Sequence, residues 1–256
     1  RPPRSTLFPY TTLFRSTSAA YRQDSRVTPE LFKLDPENRL LARGPKHRLD
    51  AEVLRDSALY VSGLLNLKTG GRGVRPYQPA GIWEAVGYTT SDTAKYSQDH
   101  GEALYRRSLY MFWKRTAPPP IMTTFDAPSR EQCRVRRERT NTPLQALLTM
   151  NDIAYFEAAR HLGYRMLREG GSDDAARLRH GFWLVTARHP AAQEGEILQA
   201  TLAAQRARYA ANAEAAKKVI AVGESHVPGD VPPAELAAFT MMANLLLNLD
   251  EALTKN

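Results

Sequence analysis

Cysteine is almost absent from this chain of 256 residues, since Cys133 is the only one. A single cysteine excludes an intrachain disulfide framework, a multi-cysteine zinc site and a C-x-x-C-H haem attachment site within the chain. The six histidines form no H-E-x-x-H motif and no closely spaced pair. The sequence therefore predicts neither a metal site nor a cofactor in this chain.

Long hydrophobic runs are also lacking. The most apolar stretch outside the opening segment, 234–249, is interrupted by Glu235, Thr240, Asn244 and Asn248. It falls short of the roughly 20 apolar residues that a membrane-spanning helix needs. The sequence therefore predicts no membrane span, and its hydrophobic content of 43% is typical of a globular protein with a buried core.

Positive charge is present but unevenly distributed along the chain. The formal net charge is +8. The stretch Arg106 to Arg139 holds eight arginines and one lysine against three acids, and the opening segment adds three arginines and no acid. Acids and bases nearly balance elsewhere, which disfavours nucleic-acid binding by the protein as a whole.

The opening segment has an interpretation that involves no protein structure. The run TLFPYTTLFRS, from Thr6 to Ser16, reads as the in-frame translation of a common short-read sequencing adapter. Our hypothesis is that residues 1–16 are adapter-derived and not native to the protein. We then expect residues 17–30 to be a linker or a truncated upstream region, and residues 31–256 to form a single domain.

The first half of that domain combines helices with a long irregular segment. Apolar residues recur at helical spacing over 49–66, which predicts an amphipathic helix. A shorter helix is predicted from Asp35, as N-cap, to Gly44. The Gly/Pro/Arg-rich stretch of about 66–140 lacks helical periodicity, and aromatic alternation at 105–113 favours a short extended element there.

The second half is helical in character. Thr142, Pro143 and Gln145 form a capping-box pattern that predicts a helix start, and Asp152 is the predicted cap of the next helix. Short loops join further helices over 143–254. The predicted fold class is mainly α: a helical bundle-like domain with a long irregular Gly/Pro/Arg-rich segment that could include one short strand pair.

Three stretches of the sequence resemble a known family. They are NRLLARGPKHRLDAEVLRDSAL, the line from YRRSLYMFWKRT to NTPLQALLTMND, and NLLLNLDEALTK. They are similar to the C-terminal domain of large planctomycete-type proteins, the domain of unknown function 1553. The resemblance runs from about Leu31 to the C-terminus.

Membership of this family implies a context rather than a reaction. It implies that the chain is a fragment of a longer exported or periplasmic protein, whose upstream domains are its partners within one polypeptide. A cytochrome-c-like domain is among those upstream domains, so a c-type haem is expected there and not in this chain. The family's genomic setting suggests work on complex polysaccharides.

The segment FDAPSREQCRVRRERTN, residues 125–141, has the highest density of charged and potentially reactive side chains in the sequence. Guanidinium groups bind carboxylate, sulfate or phosphate at two points, and a following helix start adds to the attraction for anions. The candidate ligand-binding residues are Arg130, Arg134, Arg136, Arg137, Arg139, Asn141 and Trp113, and the candidate catalytic residues are Asp126, Glu131 and Cys133.

A structural interpretation of the same residues competes with the functional one. The arginines could pair with nearby acids and so hold an irregular segment in place. Cys133 could be a small buried residue, because a nucleophile needs a base and no histidine lies nearby in the sequence. Trp113 could belong to the core.

Three functions remain open at this point. The first is a helical accessory or binding domain linked to anionic polysaccharide. The second is an enzyme whose site centres on the stretch from Asp126 to Asn141. The third, nucleic-acid binding, is disfavoured by the charge balance outside the basic segment.

Overall fold

The computed structural model describes residues 14–88 and 90–255. Within these ranges the chain divides into two compact units, residues 14–48 with 254–255 and residues 49–253. About half of the structure is helical and one short antiparallel strand pair is present, so the mainly α prediction is confirmed. The adapter hypothesis concerns a segment whose residues 1–13 lie outside the described residues, and the predicted extent of the single domain stays a prediction.

The first unit contains the short helix α1 and the strand pair. Helix α1, Pro29–Leu34, is capped by the Thr28 hydroxyl, which accepts from the backbone N–H of Leu31. Strands β1, His47–Arg48, and β2, Thr254–Lys255, are antiparallel. The two chain regions of this unit therefore meet at this strand pair.

The prediction of a helix that starts at Asp35 is wrong, because Asp35 is the C-cap of α1. Its carboxylate accepts from the backbone N–H groups of Arg39 and Leu40. Arg43 donates to the carbonyls of Asp35 and Pro36. These side-chain bonds satisfy the backbone in a turn and so compete with the helical ladder.

The second unit is a helical assembly. Its helices are α2 Ala51–Ser62, α3 Pro120–Thr123, α4 Pro143–Asn151, α5 Ile153–Glu169, α6 Asp174–Thr186, α7 Ala192–Ala211, α8 Ala213–Ile220, α9 Pro233–Leu247 and α10 Asp250–Leu253. Helices α5 and α9 lie at its centre, where Leu162, Phe239 and Met242 are fully buried. They approach closely at Gly163, since a Cβ there would lie 2.8 Å from the α9 backbone.

The start of α4 differs from the predicted capping box. Helix α4 begins at Pro143 as expected, but the Thr142 side chain makes no cap hydrogen bond. Gln145 is buried and donates to the Thr124 carbonyl and the Thr140 hydroxyl, so it ties the helix to the preceding loop. The Asp152 cap is confirmed, because its carboxylate accepts from the backbone N–H of Ala154.

The irregular segment contains two 3-10 helices, Gly101–Tyr105 and Ser108–Tyr110. The extended element predicted over 105–113 is therefore wrong for most of its length, although Met111 forms an isolated parallel bridge with Val74. A turn conformation is possible here because buried arginine donors satisfy carbonyls that have no partner in a ladder.

Two buried arginines hold this segment in place. Arg55 of α2 is 2% exposed and donates to the carbonyls of Leu104 and Arg106. Arg106 donates to the carbonyls of residues 68, 70 and 72, and its guanidinium lies 3.9 Å from the centre of the Tyr110 ring. Arginines thus do stabilise irregular backbone in this protein, but these two lie outside the segment 125–141.

Candidate ligand groove beside helix α2

Helix α2 forms one wall of a groove of about 670 Å³. The lining includes three acids at the start and on the outer face of α2 and three arginines from the irregular segment: Asp50, Glu52, Asp56, Arg107, Arg130 and Arg137. Exposed apolar side chains, among them Tyr60 and Leu109, complete the surface. The groove is therefore amphiphilic, with both signs of charge.

Helical periodicity places these α2 residues on one face. Glu52, Asp56 and Tyr60 follow one another at intervals of four, which puts them on the same side of the helix. Leu54 and Leu59 point the other way and are buried in the core. Core packing thus fixes the helix and leaves a polar face with an exposed tyrosine toward the groove.

Arg137 is bound to the acids of α2. Its two terminal nitrogens donate to the Glu52 carboxylate at 2.6 and 3.0 Å, and it lies 3.8 Å from Asp50. Burial opposes ionisation of Glu52, but the hydrogen bonds from Arg137 outweigh it, and the pKa of Glu52 lies below its ordinary value. The same hydrogen bonds raise the pKa of Arg137. Arg139 adds a 3.6 Å contact to Asp50.

Arg130 has a different environment. Its backbone is left-handed, with φ of 65°, and its guanidinium lies 4.4 Å from the centre of the Trp113 ring. The Trp113 indole N–H donates to the Ser129 carbonyl at 2.9 Å, which fixes the ring beneath the arginine. Arg130 is exposed and makes no ion pair with another residue in the described part of the chain. Its charge contributes to the lowered pKa of Glu52, but no ion-pair contact within the described residues engages the guanidinium, so a ligand anion can reach it.

Arg107 is only loosely paired. Its Nε lies 3.7 Å from the Asp56 carboxylate, which also accepts from the backbone N–H of Ser108 at 2.7 Å. The Arg107 side chain is about half exposed. A ligand anion can therefore compete with Asp56 for this guanidinium.

The other predicted site residues do not line the groove. Asp126 accepts from the backbone N–H of Thr140 at 2.7 Å and from its hydroxyl, and so closes the loop 126–140. Arg134 pairs with Glu138 at 2.8 Å in an exposed contact. The remaining members are exposed at the surface: Glu131, Cys133, Arg136 and Asn141.

The structure thus brings Arg130 and Arg137 together in the groove, with Trp113 behind Arg130. Sequence reasoning missed the acids of α2, Tyr60 and Arg107. The four-residue spacing of Glu52, Asp56 and Tyr60 could have indicated a shared polar face. Nothing local in the sequence indicates that the arginine-rich segment returns to that face.

A second polar cluster lies between α5 and the loop before α9. Ser225 Oγ lies 2.6 Å from the Glu157 carboxylate and 2.7 Å from His161 Nε2, and Arg160 also donates to it. In a serine triad the carboxylate orients the histidine. Here Glu157 contacts the serine directly, so this cluster anchors the loop to α5.

Metal-ligating clusters and membrane-spanning helices are both absent from the described residues. Over residues 14–88 and 90–255, no three histidine, cysteine or acidic side chains are grouped to hold a metal ion. No helix in the described part of the chain is long and apolar enough to cross a bilayer.

The class that the structure defines is a mainly α protein with an amphiphilic groove beside α2. The family model described as "PSD1: Protein of unknown function (DUF1553)" matches residues 13–202, and the chain belongs to this family. All the groove residues named above fall within the matched range. No curated protein and no solved structure gives a significant match.

Proposed function

We propose that this domain is an accessory domain that binds anionic polysaccharide in the groove beside α2. The observation that carries the proposal is Arg130, an exposed guanidinium that is stacked on Trp113 and lines the groove without an ion-pair partner among the described residues. A guanidinium held in a fixed orientation binds a carboxylate or sulfate at low entropic cost.

The other groove residues supply complementary contacts. Arg107, at its 3.7 Å distance from Asp56, offers a second cation. The Tyr60 ring, 68% exposed, gives a flat apolar surface for a sugar ring, and Asp50 and Glu52 can accept from sugar hydroxyls. A volume of about 670 Å³ suits a short oligosaccharide segment.

Binding accounts for these residues better than catalysis does. Asp126 is committed to Thr140, and neither Glu131 nor Cys133 lines the groove. The wider context, an exported or periplasmic protein whose upstream domains include one with a c-type haem, belongs to the same proposal and rests on the family resemblance.

A binding panel tests the proposal. Galacturonan, alginate and sulfated carrageenan oligosaccharides, with single-stranded DNA as a competing polyanion, are titrated into the full chain by calorimetry. We expect at least one uronic or sulfated oligosaccharide to bind, and its affinity to fall about tenfold in Arg130→Ala. The matched control is Arg136→Ala, an exposed arginine outside the groove, which should bind as the wild type does.

Two results would overturn the proposal. One is absence of binding to every oligosaccharide of the panel. The other is an equal loss of affinity in Arg130→Ala and Arg136→Ala, because binding would then follow net charge rather than the groove.

A further inference from the structure

The first unit carries its large apolar side chains on the outside. Tyr21, Phe32, Leu34, Leu40 and Leu41 are all more than half exposed. The residues that are buried in the described part of this unit are all polar: Ser25, Asp35, Arg43 and Thr254. Since proteins normally bury apolar groups together, a group of them left at the surface marks an interaction site.

Three of these side chains belong to one tight turn. The Asp35 carboxylate accepts from the backbone N–H of Leu40 at 2.7 Å. The Asn38 side chain donates to the Arg43 carbonyl at 2.7 Å and accepts from the Arg43 backbone N–H. The polar groups thus point into the turn. Leu34 directly precedes Asp35 in the chain, so the three leucines lie close together on the outside of the turn.

The backbone of this turn is fixed in an unfavourable conformation. Leu41 is left-handed, with φ of 55°, which leucine rarely adopts. Its N–H donates to the carbonyl of Asn38, which is also left-handed, with φ of 53°. Strain of this kind is retained where the structure is used. The leucines are therefore presented by a fixed backbone, so docking through them costs little conformational entropy.

The exposure of the leucines describes the shape of the site. Leu34 and Leu40 are 81% and 80% exposed, so almost nothing packs beside them. They protrude from a convex tip instead of lining a groove. A protein partner would have to offer a pocket shaped to them, whereas the interfacial region of a bilayer takes up protruding apolar side chains without a preformed fit.

Positive charge surrounds the tip. Lys33 and Arg39 are exposed and each directly precedes one of the protruding leucines, while Glu37 is the acid exposed on the turn. Over residues 17–48 and 254–255, the chain holds eight lysines and arginines against four acids. This excess disfavours contact with a second copy, because two positive units repel each other, and it favours an anionic surface.

We propose that the turn from Leu34 to Leu41 is a docking tip for an anionic lipid membrane. The three leucines insert into the interfacial region of the bilayer, and the cationic groups of Lys33 and Arg39 bind lipid phosphates. This inference is independent of the groove beside α2.

Vesicle co-sedimentation of the full chain tests the tip. The vesicles contain phosphatidylcholine with phosphatidylglycerol as about a third of the lipid, or phosphatidylcholine alone. We expect binding to the mixed vesicles and at least about tenfold weaker binding to phosphatidylcholine alone. Arg39→Gln should weaken binding to the mixed vesicles about fivefold. Arg136→Gln, at an exposed arginine of the other unit, should bind as the wild type does.

Leucine variants separate insertion from attraction between charges. Leu41→Asn should weaken binding to the mixed vesicles about tenfold, because it removes apolar surface that inserts into the bilayer. Asparagine suits a left-handed backbone, so the turn is kept. The matched control is Leu144→Asn, at an equally exposed leucine of α4, which should bind as the wild type does.

A fluorescent label reports whether the tip enters the bilayer. A nitrobenzoxadiazole label on Leu40→Cys, in a Cys133→Ser background, should brighten and shift to shorter wavelength on the mixed vesicles. The same label on the native Cys133, which is exposed in the other unit, should stay unchanged.

Three results would overturn the proposal. One is absence of binding to the mixed vesicles by the wild type, which would leave an acidic protein surface as the partner of this unit. Another is equal binding by Leu41→Asn and the wild type, because charge alone would then hold the chain on the vesicle. The third is an unchanged label at residue 40 on vesicles that carry the bound protein.

Discussion

His161 should make the stability of the second unit depend on pH. The ring is half-buried on α5, with Nε2 2.7 Å from Ser225 Oγ. Burial, together with the neighbouring charge of Arg160, lowers the pKa of His161 to about 4, and the opposing effect of Glu157 is smaller. The ordinary histidine pKa of about 6.5 applies to the unfolded chain.

The direction of the pH dependence follows from which state, folded or unfolded, binds the proton. Between pH 6.5 and about 4 the unfolded chain binds a proton at His161 that the folded protein does not. The contribution to stability is therefore complete above pH 6.5 and is lost as the pH falls through this window. The difference between the two pKa values corresponds to at most about 3 kcal/mol of unfolding free energy. Partial exposure of the ring reduces the expected loss to about 2 kcal/mol.

Urea unfolding followed by circular dichroism measures this loss. The wild type and His161→Gln are compared at several values between pH 7.5 and 4.5, where the paired carboxylates stay ionised. We expect the wild type to lose about 2 kcal/mol more than the variant. The control His189→Gln, at an exposed ring, should follow the wild type. Parallel curves for wild type and His161→Gln would refute the assignment.

Three further variants test the packing and the ion pairs. Gly163→Ala should cost about 1–3 kcal/mol of unfolding free energy, because its Cβ meets the α9 backbone; a change within 0.5 kcal/mol, on the order of a surface substitution, would contradict the close approach. Arg55→Leu should cost about 3 kcal/mol in the same assay, since the carbonyls of the 3-10 segment lose their buried donor; unchanged stability would show that those carbonyls find other partners. Glu52→Gln should cost no more than about 1 kcal/mol of unfolding free energy, because its pair with Arg137 is partly exposed; a loss above about 2 kcal/mol, beyond the range of exposed pairs, would show that the pair holds the irregular segment in place.

The elements that sequence patterns predicted are those whose structure is set locally. Helix α2 follows from apolar spacing, and the starts of α4 and α5 follow from Pro143 and the Asp152 cap. The turn after Asp35 and the 3-10 segment were missed. In each case buried side-chain donors and acceptors, above all Arg43 and Arg55, decide the backbone conformation against local propensity.

The candidate site was predictable only in part. Arginine density pointed to the neighbourhood of Arg130 and Arg137, because local composition records the charge of a segment. It did not show that Arg137 meets Glu52, 85 residues away in sequence, since such a contact depends on tertiary folding. Asp126 was predicted as a catalytic candidate, and its bonds to Thr140 show the structural use of an acid in a tight loop.

The location of the ligand is tested most directly by NMR of the arginine side chains. Their Nε–Hε signals are followed in the full chain as the oligosaccharide that binds best is added. We expect the signals of Arg107 and Arg130 to shift with saturable, matching affinities, while the signal of Arg136, an exposed arginine outside the groove, stays in place. Saturable shifts at Arg136 with none at Arg130 would contradict a ligand held in the groove beside α2.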